Sequence, residues 1–115
     1  MKNVKKQLVG AAVPKFILTI LALGDSYGLE IVQRVKELTN GEINRQVASI
    51  YPALKKMEAG GLICSDWRMG ENERPRKYYQ ITEEGKAELQ NQKNEWDAMN
   101  QVFTKLLGGQ KTSSL

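Results

Sequence analysis

The sequence predicts a mainly α fold of the α+β kind, in which three helices precede a two-stranded β-hairpin and a long helix follows it. Three observations predict this fold. Apolar residues recur at helical spacing in three segments before residue 60, and two short runs rich in β-forming residues come after Gly61. From residue 83 onward, apolar side chains repeat every seven residues. A chain of 115 residues with 41% apolar side chains can form one domain with a core.

The first two predicted helices are separated by a short turn. Pro14 suits the first turn of helix one, and residues 16–23 carry its apolar face. Asp25-Ser26 then offers N-cap chemistry for helix two. The apolar positions of helix two fall within residues 31–38, and Asn40-Gly41 ends it.

The third predicted helix contains a proline. Asn44 is its candidate cap, and its buried stripe consists of Val47, Ile50, Tyr51, Leu54 and Met57. Pro52 lies in this segment, and an interior proline costs about 3 kcal/mol unless it falls in the first turn. Two explanations stay open: the helix begins later than Gln46, or it bends at the proline.

The predicted hairpin pairs residues 62–67 with residues 77–81 across a charged, turn-prone segment at 70–75. Thr82 begins the last helix with cap-like chemistry. Gly85 in the first turn is unfavourable for helix propensity, and it therefore indicates close packing at that point.

The last helix carries a heptad seam with one polar layer, which consists of Leu89, Gln92, Trp96, Met99, Phe103 and Leu106. Since the preceding elements already form a core, this seam needs another surface. The same helix of a second copy supplies it most simply, so Leu89, Trp96, Met99, Phe103 and Leu106 are predicted dimerisation residues. The alternative is a helix that folds back on its own domain. The predicted organisation is a DNA-binding domain at 1–82, a dimerisation helix at 83–107 and a disordered tail at 108–115.

The charge pattern favours a polyanionic partner for the first 80 residues. The net charge is +4, from 17 basic and 13 acidic side chains. Residues 43–82 carry seven basic side chains against four acidic ones, whereas residues 83–107 carry three against five. A polyanion would therefore be attracted to the hairpin and the helix before it, and the last helix is left for another role.

The composition argues against several other classes of protein. The chain has no histidine and one cysteine, Cys64, which excludes a Cys/His zinc site and an internal disulfide and removes the usual general base. We expect no enzyme, no metal and no cofactor. No apolar run approaches the ~20 residues of a membrane-spanning helix, and no secretory signal follows the first residues, so a cytoplasmic protein without membrane contact is expected.

Three helices followed by a hairpin form a winged helix-turn-helix, in which the third helix enters the major groove of DNA and the hairpin, or wing, reaches the neighbouring backbone. Gln46 and Ser49 lie near the N-terminal end of the third helix, where base contacts are usual. The candidate phosphate contacts are Lys55, Lys56, Arg68, Arg74, Arg76 and Lys77. Double-stranded DNA is thus the predicted partner.

Three ordered motifs, at residues 26–31, 49–63 and 76–85, resemble the PadR family of bacterial transcriptional regulators over about residues 12–107. The resemblance implies a homodimer whose winged domains bind an inverted-repeat operator, usually as a repressor. A Tyr-Pro pair is common in the recognition helices of this family, which implies that Tyr51 lies at or near the bases.

The single C-terminal helix is similar to that of a smaller PadR subgroup that includes multidrug-sensing repressors. In such members a tryptophan of this helix stacks flat aromatic ligands across the dimer axis, and Trp96 stands at the matching place. The resemblance implies a small aromatic effector near Trp96, Lys15, Lys93 and Asn100. The two lysines would suit an anion such as a phenolic acid better than a cationic drug. A tryptophan that only packs in the seam is the alternative.

The sequence therefore predicts a homodimeric, ligand-responsive transcriptional repressor. Two alternatives remain: an adaptor whose last helix binds a partner protein, and a DNA-binding regulator without an effector. Two further residues are assigned to packing, since Cys64 is expected to be buried in its strand and Trp67 to pack against the last helix.

Overall fold

The computed structural model describes residues 2–112, apart from the side chains of residues 2–10, 42, 45, 46 and 109–112. The helices are α1 (Lys2–Leu23), α2 (Gly28–Leu38), α3 (Ile50–Ala59) and α4 (Glu83–Thr112). The strands are β1 (Ser26–Tyr27), β2 (Ile63–Met69) and β3 (Pro75–Ile81). A 3-10 helix at Glu42–Ser49 leads into α3, and a 3-10 turn at Glu71–Glu73 joins β2 to β3. The predicted mainly α, winged helix-turn-helix fold is confirmed.

One core holds α1, α2, α3 and the wing together. Its fully buried side chains include Val13, Ile17, Leu18, Leu21, Ile31, Val35, Ile43, Ile50, Leu54 and Ile63. These residues come from every predicted apolar face, and the removal of their surface from water is the main force that fixes the wing beside α3. No helix within residues 2–112 is long and apolar enough to cross a membrane.

The sheet has three antiparallel strands in the order β1-β3-β2. Ser26 pairs with Tyr79 and is buried, so the prediction that Asp25-Ser26 caps α2 is wrong. The residue before α2 is Tyr27, which makes no side-chain capping hydrogen bond. A strand of two residues has no periodicity of its own, and only its pairing with β3 reveals it.

The alternation of side chains along β2 and β3 gives the wing two faces. We call the face that carries Ile63, Ser65, Trp67 and Met69, with their partners Ile81, Tyr79, Lys77 and Pro75, the inner face. The outer face carries Cys64, Asp66 and Arg68, with their partners Gln80, Tyr78 and Arg76. Ile63 and Ile81 are buried, so the inner face is the one that covers the core.

The two prolines of the helical region differ in position from expectation. α1 begins at Lys2, so Pro14 lies inside the helix and not in its first turn. The buried face of α1 already includes Val13 and continues at Ile17, which carries the packing across the proline. α3 begins at Ile50, which places Pro52 third in the helix, where the missing N–H has no intrahelical acceptor. The later start of α3 is therefore the correct explanation for Pro52.

α4 begins against the end of the hairpin and extends beyond the core. Thr82 Oγ1 accepts a hydrogen bond from the Gly85 N–H at 3.0 Å and donates to the Gly61 carbonyl at 2.6 Å. Gly85 is buried, and a Cβ there would lie 2.1 Å from the Leu62 carbonyl oxygen, which confirms the predicted close packing. Leu89, one turn further on, is partly buried against the core.

The far end of α4 departs from the predicted tail. Helical backbone geometry breaks at Gly108 and resumes as far as Thr112, within the segment expected to be disordered. Residues 113–115 lie outside the described residues. The domain boundaries at residues 82 and 107 stay predictions.

Candidate nucleic-acid interface

α3 presents one buried and one exposed side. Ile50, Leu54 and Met57 face the core, whereas Lys55 and Lys56 are exposed. The placement of Tyr51 in the buried stripe is wrong, because 51% of its surface is exposed. The later start of α3 explains this, since Tyr51 occupies the first turn at the surface end of the helix.

The other predicted base-contacting residues precede α3. Ser49 is exposed at the end of the 3-10 helix, directly before Ile50. Gln46 belongs to the same 3-10 helix, but its side chain lies outside the described residues. The Tyr51 ring packs against Gly28 at the start of α2, so the two helices of the helix-turn-helix meet at this tyrosine.

A groove of about 510 Å³ lies between the start of α3 and the wing. It is lined by Tyr27, Gly28, Leu29, Tyr51, Trp67, Arg74, Pro75, Arg76, Lys77 and Tyr79. The expectation that Trp67 packs against the last helix is wrong, because the indole lines this groove and is 68% exposed. Alternation along β2 places Trp67 on the inner face with Ile63, but two residues beyond Ser65 and past the buried part of that face.

Lys77 connects the wing to α3. Its ammonium lies 3.7 Å from a carboxylate oxygen of Glu58 and 5.6 Å from the ring centre of Tyr79. The second oxygen of Glu58 accepts a short hydrogen bond from the Ser65 hydroxyl. Glu58 therefore neutralises part of the Lys77 charge and holds β2 and β3 beside the last turn of α3.

The outer face of the wing carries a separate cluster of cations and aromatic rings. Arg68 forms an ion pair of 2.8 Å with Asp25 and one of 3.2 Å with Asp66, and its guanidinium lies 4.9 Å from the ring centre of Tyr78. The hydrogen bonds with Asp25, and then with Asp66, raise the pKa of Arg68 above its usual range. Arg68 is thus engaged with its own chain.

Arg76 shares this outer face. Its guanidinium lies 4.2 Å from the ring centre of Tyr27, which in turn meets Tyr78 edge to face at 5.5 Å. The structure therefore does not bring the four basic residues of the wing together. Arg68 and Arg76 belong to the outer face, and Lys77 belongs to the inner face.

Three of the predicted phosphate-contacting cations are unpaired. Within residues whose side chains are described, Lys55, Lys56 and Arg74 make no ion pair with an acidic group. All three are exposed, on α3 or at the start of β3. The tip of the wing between β2 and β3 adds two exposed acidic residues, Glu71 and Glu73. Free positive charge thus lies on α3 and at the base of the tip, whereas the tip itself is acidic.

Comparison with known proteins identifies the family. Residues 17–91 match the "Transcriptional regulator PadR-like family". The chain belongs to this family. It is 31% identical to a PadR family transcription regulator from hypervirulent Clostridium difficile, with a TM-score of 0.66, over 84% of this chain and 99% of that one.

Two further relatives cover nearly the whole PadR-like chain. A PadR-like transcriptional regulator of Bacillus cereus is 27% identical, with a TM-score of 0.76, over 89% of this chain and 97% of that one. An uncharacterised protein of Lysinibacillus sphaericus is 26% identical over 92% of this chain and 97% of its own length. The protein is therefore a transcriptional regulator of the PadR family and not an enzyme.

The predicted effector residues of this PadR-like regulator lie on two helices. Trp96 is 65% exposed on α4, and Lys15 is exposed on α1. Lys93 forms an ion pair of 3.2 Å with Asp97, one turn along α4. Asn100 lines a shallow polar groove with Asp97, Gln101, Thr104 and Lys105. Neither Trp96 nor the lysines at 15 and 93 line that groove, so a single chain does not enclose the predicted effector residues together.

Cys64 also departs from expectation. It is exposed on the outer face of the wing, with its sulfur 3.9 Å from Oε1 of Gln80, so the prediction of a buried cysteine is wrong. Residues of the outer face alternate with the core-facing residues, and Cys64 directly follows the buried Ile63. The pairing of β2 with β3 thus decides which side of the wing the thiol occupies.

Proposed function

We propose that this PadR-family regulator binds double-stranded DNA as a homodimer, with α3 in the major groove and the wing on the flanking backbone. The observation that carries the proposal is the arrangement of unpaired cations around the exposed start of α3. Lys55 and Lys56 extend from the helix, and Arg74 stands across the groove on the wing. Cations without internal partners are the groups that bind phosphates most readily, since no existing ion pair must be broken.

The first turn of α3 is the part proposed to approach the base edges. Tyr51 is exposed there, and Ser49 directly precedes the helix. Gln46, on the preceding 3-10 helix, completes the set of proposed base contacts. Recognition helices of this architecture usually read bases with their N-terminal residues, because that end points into the groove.

The proposed dimer forms through α4. Beyond Leu89, the helix exposes Trp96, Met99, Val102, Phe103, Leu106 and Leu107, each by more than half of its surface. An apolar surface of this extent on one helix is stabilised by a second apolar helix, and a two-fold axis supplies an identical one. Such an axis also pairs the two copies of α3, which matches an inverted-repeat operator with half-sites about 34 Å apart.

The proposed regulatory role is a repressor that releases DNA when a small aromatic ligand binds at Trp96 of the dimer. Exposed indoles that meet across a two-fold axis would offer two flat faces for stacking. Lys15 and Lys93 favour an anionic aromatic compound. Since both recognition helices must match their half-sites, a small rotation about the α4 contact would weaken binding.

The test of this proposal is footprinting of the purified protein on the DNA upstream of its own coding region. We expect a protected palindrome and an affinity that falls by roughly a thousandfold between 50 and 200 mM salt, if six to eight phosphates are neutralised per dimer. Addition of aromatic acids should weaken the footprint and quench Trp96 emission in a Trp67→Phe protein. A salt slope near zero, with no protected region, would overturn the proposal and favour an adaptor that uses α4 to bind another protein.

A further inference from the structure

Trp67 has no structural role that accounts for its exposure. It is 68% exposed on the inner face of β2, beyond the residues that cover the core. Its neighbours along the same face, Ser65 and Lys77, are occupied by contacts with Glu58, and the indole is not part of the core. A large aromatic side chain held open to solvent beside a groove is a common feature of binding surfaces, where tryptophan contributes more than its share of the affinity.

The groove beside Trp67 has a distinctive chemical character. Four aromatic residues line it, namely Tyr27, Tyr51, Trp67 and Tyr79. Three basic residues line it as well, namely Arg74, Arg76 and Lys77, and no acidic residue does. The acidic residues of the wing tip, Glu71 and Glu73, are absent from its lining. A ligand that suits this lining is anionic at intervals and presents flat or apolar surface between the charges.

The sugar-phosphate strand of duplex DNA has this character, since phosphates alternate with apolar deoxyribose faces. Of the cations at the groove, Lys77 is paired with Glu58 and Arg76 is stacked on Tyr27, whereas Arg74 is unpaired. Of the aromatic residues, Tyr79 is buried and Tyr51 packs against Gly28. Trp67 and Arg74 are therefore the pair whose side chains remain available to a strand in the groove.

We propose that Trp67 is a DNA-contacting residue, whose indole packs on the deoxyribose of a strand that follows the groove while Arg74 binds the adjacent phosphate. This inference rests on the proposed function above and adds a contact to it. A sugar contact carries no base identity, so Trp67 strengthens binding to operator and to unrelated duplex alike. Tyr51, at the start of α3, contributes instead to the difference between the two.

The experiment measures the affinity of the full-length protein for an operator duplex and for an unrelated duplex of equal length. Trp67→Ala should weaken binding to both by about tenfold, because truncation of a well-placed interface tryptophan costs more than 1 kcal/mol. Trp67→Phe should retain most of the affinity, since a flat ring remains. Cys64→Ala is the matched control, because Cys64 lies on the same strand but on the outer face, and it should bind DNA as the unaltered protein does.

A second readout follows Trp67 directly. In a Trp96→Phe protein that still sediments as the unaltered protein does, Trp67 is the sole indole, and its emission should shift or be quenched when either duplex is added. Circular dichroism and thermal unfolding of Trp67→Ala should match the unaltered protein, because the side chain lies outside the core.

The outcomes separate this inference from the proposed function. If Trp67→Ala binds both duplexes as tightly as the unaltered protein, and the emission of Trp67 does not change with DNA, the inference is wrong and the proposed function stands. If Trp67→Ala loses affinity for the operator alone, Trp67 reads bases and the sugar contact is wrong. If the unaltered protein binds no duplex at all, the proposed function fails and the inference with it.

Discussion

The ring of Tyr51 lies directly over the α-carbon of Gly28, so that a Cβ at residue 28 would stand 2.8 Å from Cε1 of Tyr51 and 3.2 Å from its hydroxyl oxygen. Gly28 is the first residue of α2, where its backbone is helical and any residue is allowed. The glycine is therefore explained by the space it leaves and not by its conformation. Its absent side chain determines where the exposed tyrosine at the start of α3 can lie.

Gly28→Ala is expected to change DNA binding more than stability. The added methyl group must displace the tyrosine ring, which can rotate away because it is the mobile end of an exposed side chain. The free energy of unfolding should change by no more than about 1 kcal/mol, the scale of a Gly-to-Ala change in a helix. Operator affinity should fall by about tenfold, as measured by fluorescence anisotropy.

A double-mutant cycle provides the control for Gly28→Ala. If the effect passes through Tyr51, the added alanine should cause no further loss in a Tyr51→Ala protein. Equal losses in the two backgrounds would mean that residue 28 acts on DNA binding by another route.

Arg68 and Arg74 are expected to weaken DNA binding in different ways when changed to alanine. Arg68 is held by Asp25 and Asp66, so its loss should change the orientation of the wing and lower the affinity. Arg74 makes no ion pair within the described residues, and its loss should remove a phosphate contact. Titrations at several salt concentrations should show a salt slope reduced by about 1 for each lost contact in Arg74→Ala, and an unchanged slope for Arg68→Ala.

Asp25→Asn tests the same explanation from the other side of the ion pair. It removes a negative charge, which by itself would favour DNA binding, yet it should lower the affinity because the wing loses its contact with the turn before β1. A tighter complex for Asp25→Asn would show that Arg68 is better used on DNA than on Asp25.

Gly85→Ala is expected to destabilise the fold. A Cβ at this position would lie 2.1 Å from the Leu62 carbonyl oxygen, which belongs to the backbone at the start of the wing and cannot rotate away. The free energy of unfolding should fall by about 2 kcal/mol or more, in the range found for overpacked cores, as measured by urea denaturation. Gly60→Ala is the matched control, since its nearest neighbour would lie at 3.4 Å and the change should be small.

Phe103→Asp is expected to produce a monomer that retains the winged domain. Phe103 is 55% exposed in the single chain, so the charge should not disturb the core, but it would be buried between two copies of α4. Sedimentation should show a halved mass, and operator affinity should fall by about a hundredfold or more, because two linked half-site contacts become one.

Gln101→Asp is the control for the dimer prediction. It adds the same charge to α4 outside the seven-residue seam, at an exposed position. It should leave the mass and the affinity unchanged. An unaltered protein that sediments as a monomer at micromolar concentration would contradict the proposed dimer.

Much of the wing could be predicted from the sequence, but not its contacts. Period-two runs at 62–67 and 77–81 predict the pairing, and the charged segment between them predicts the turn. Alternation also places Trp67 on the same face as Ile63, and the length of the strand shows that it lies beyond the core, so this signal was available in the sequence. The ion pairs of Arg68 with Asp25 and of Lys77 with Glu58 were not, because each joins elements that only the fold brings together.

The sequence by itself determined the order of helices and strands, the family, and which helical faces are apolar, because these follow from local periodicity and from motifs that are contiguous in the chain. Only the tertiary structure decided that Pro52 falls in the first turn of α3, that Tyr51 is exposed and that the basic residues of the wing are divided between two faces. The physical reason is that exposure and charge pairing depend on what a neighbouring element covers. A residue's neighbours across the sheet or across a helix contact lie far away in the chain, where no local pattern records them.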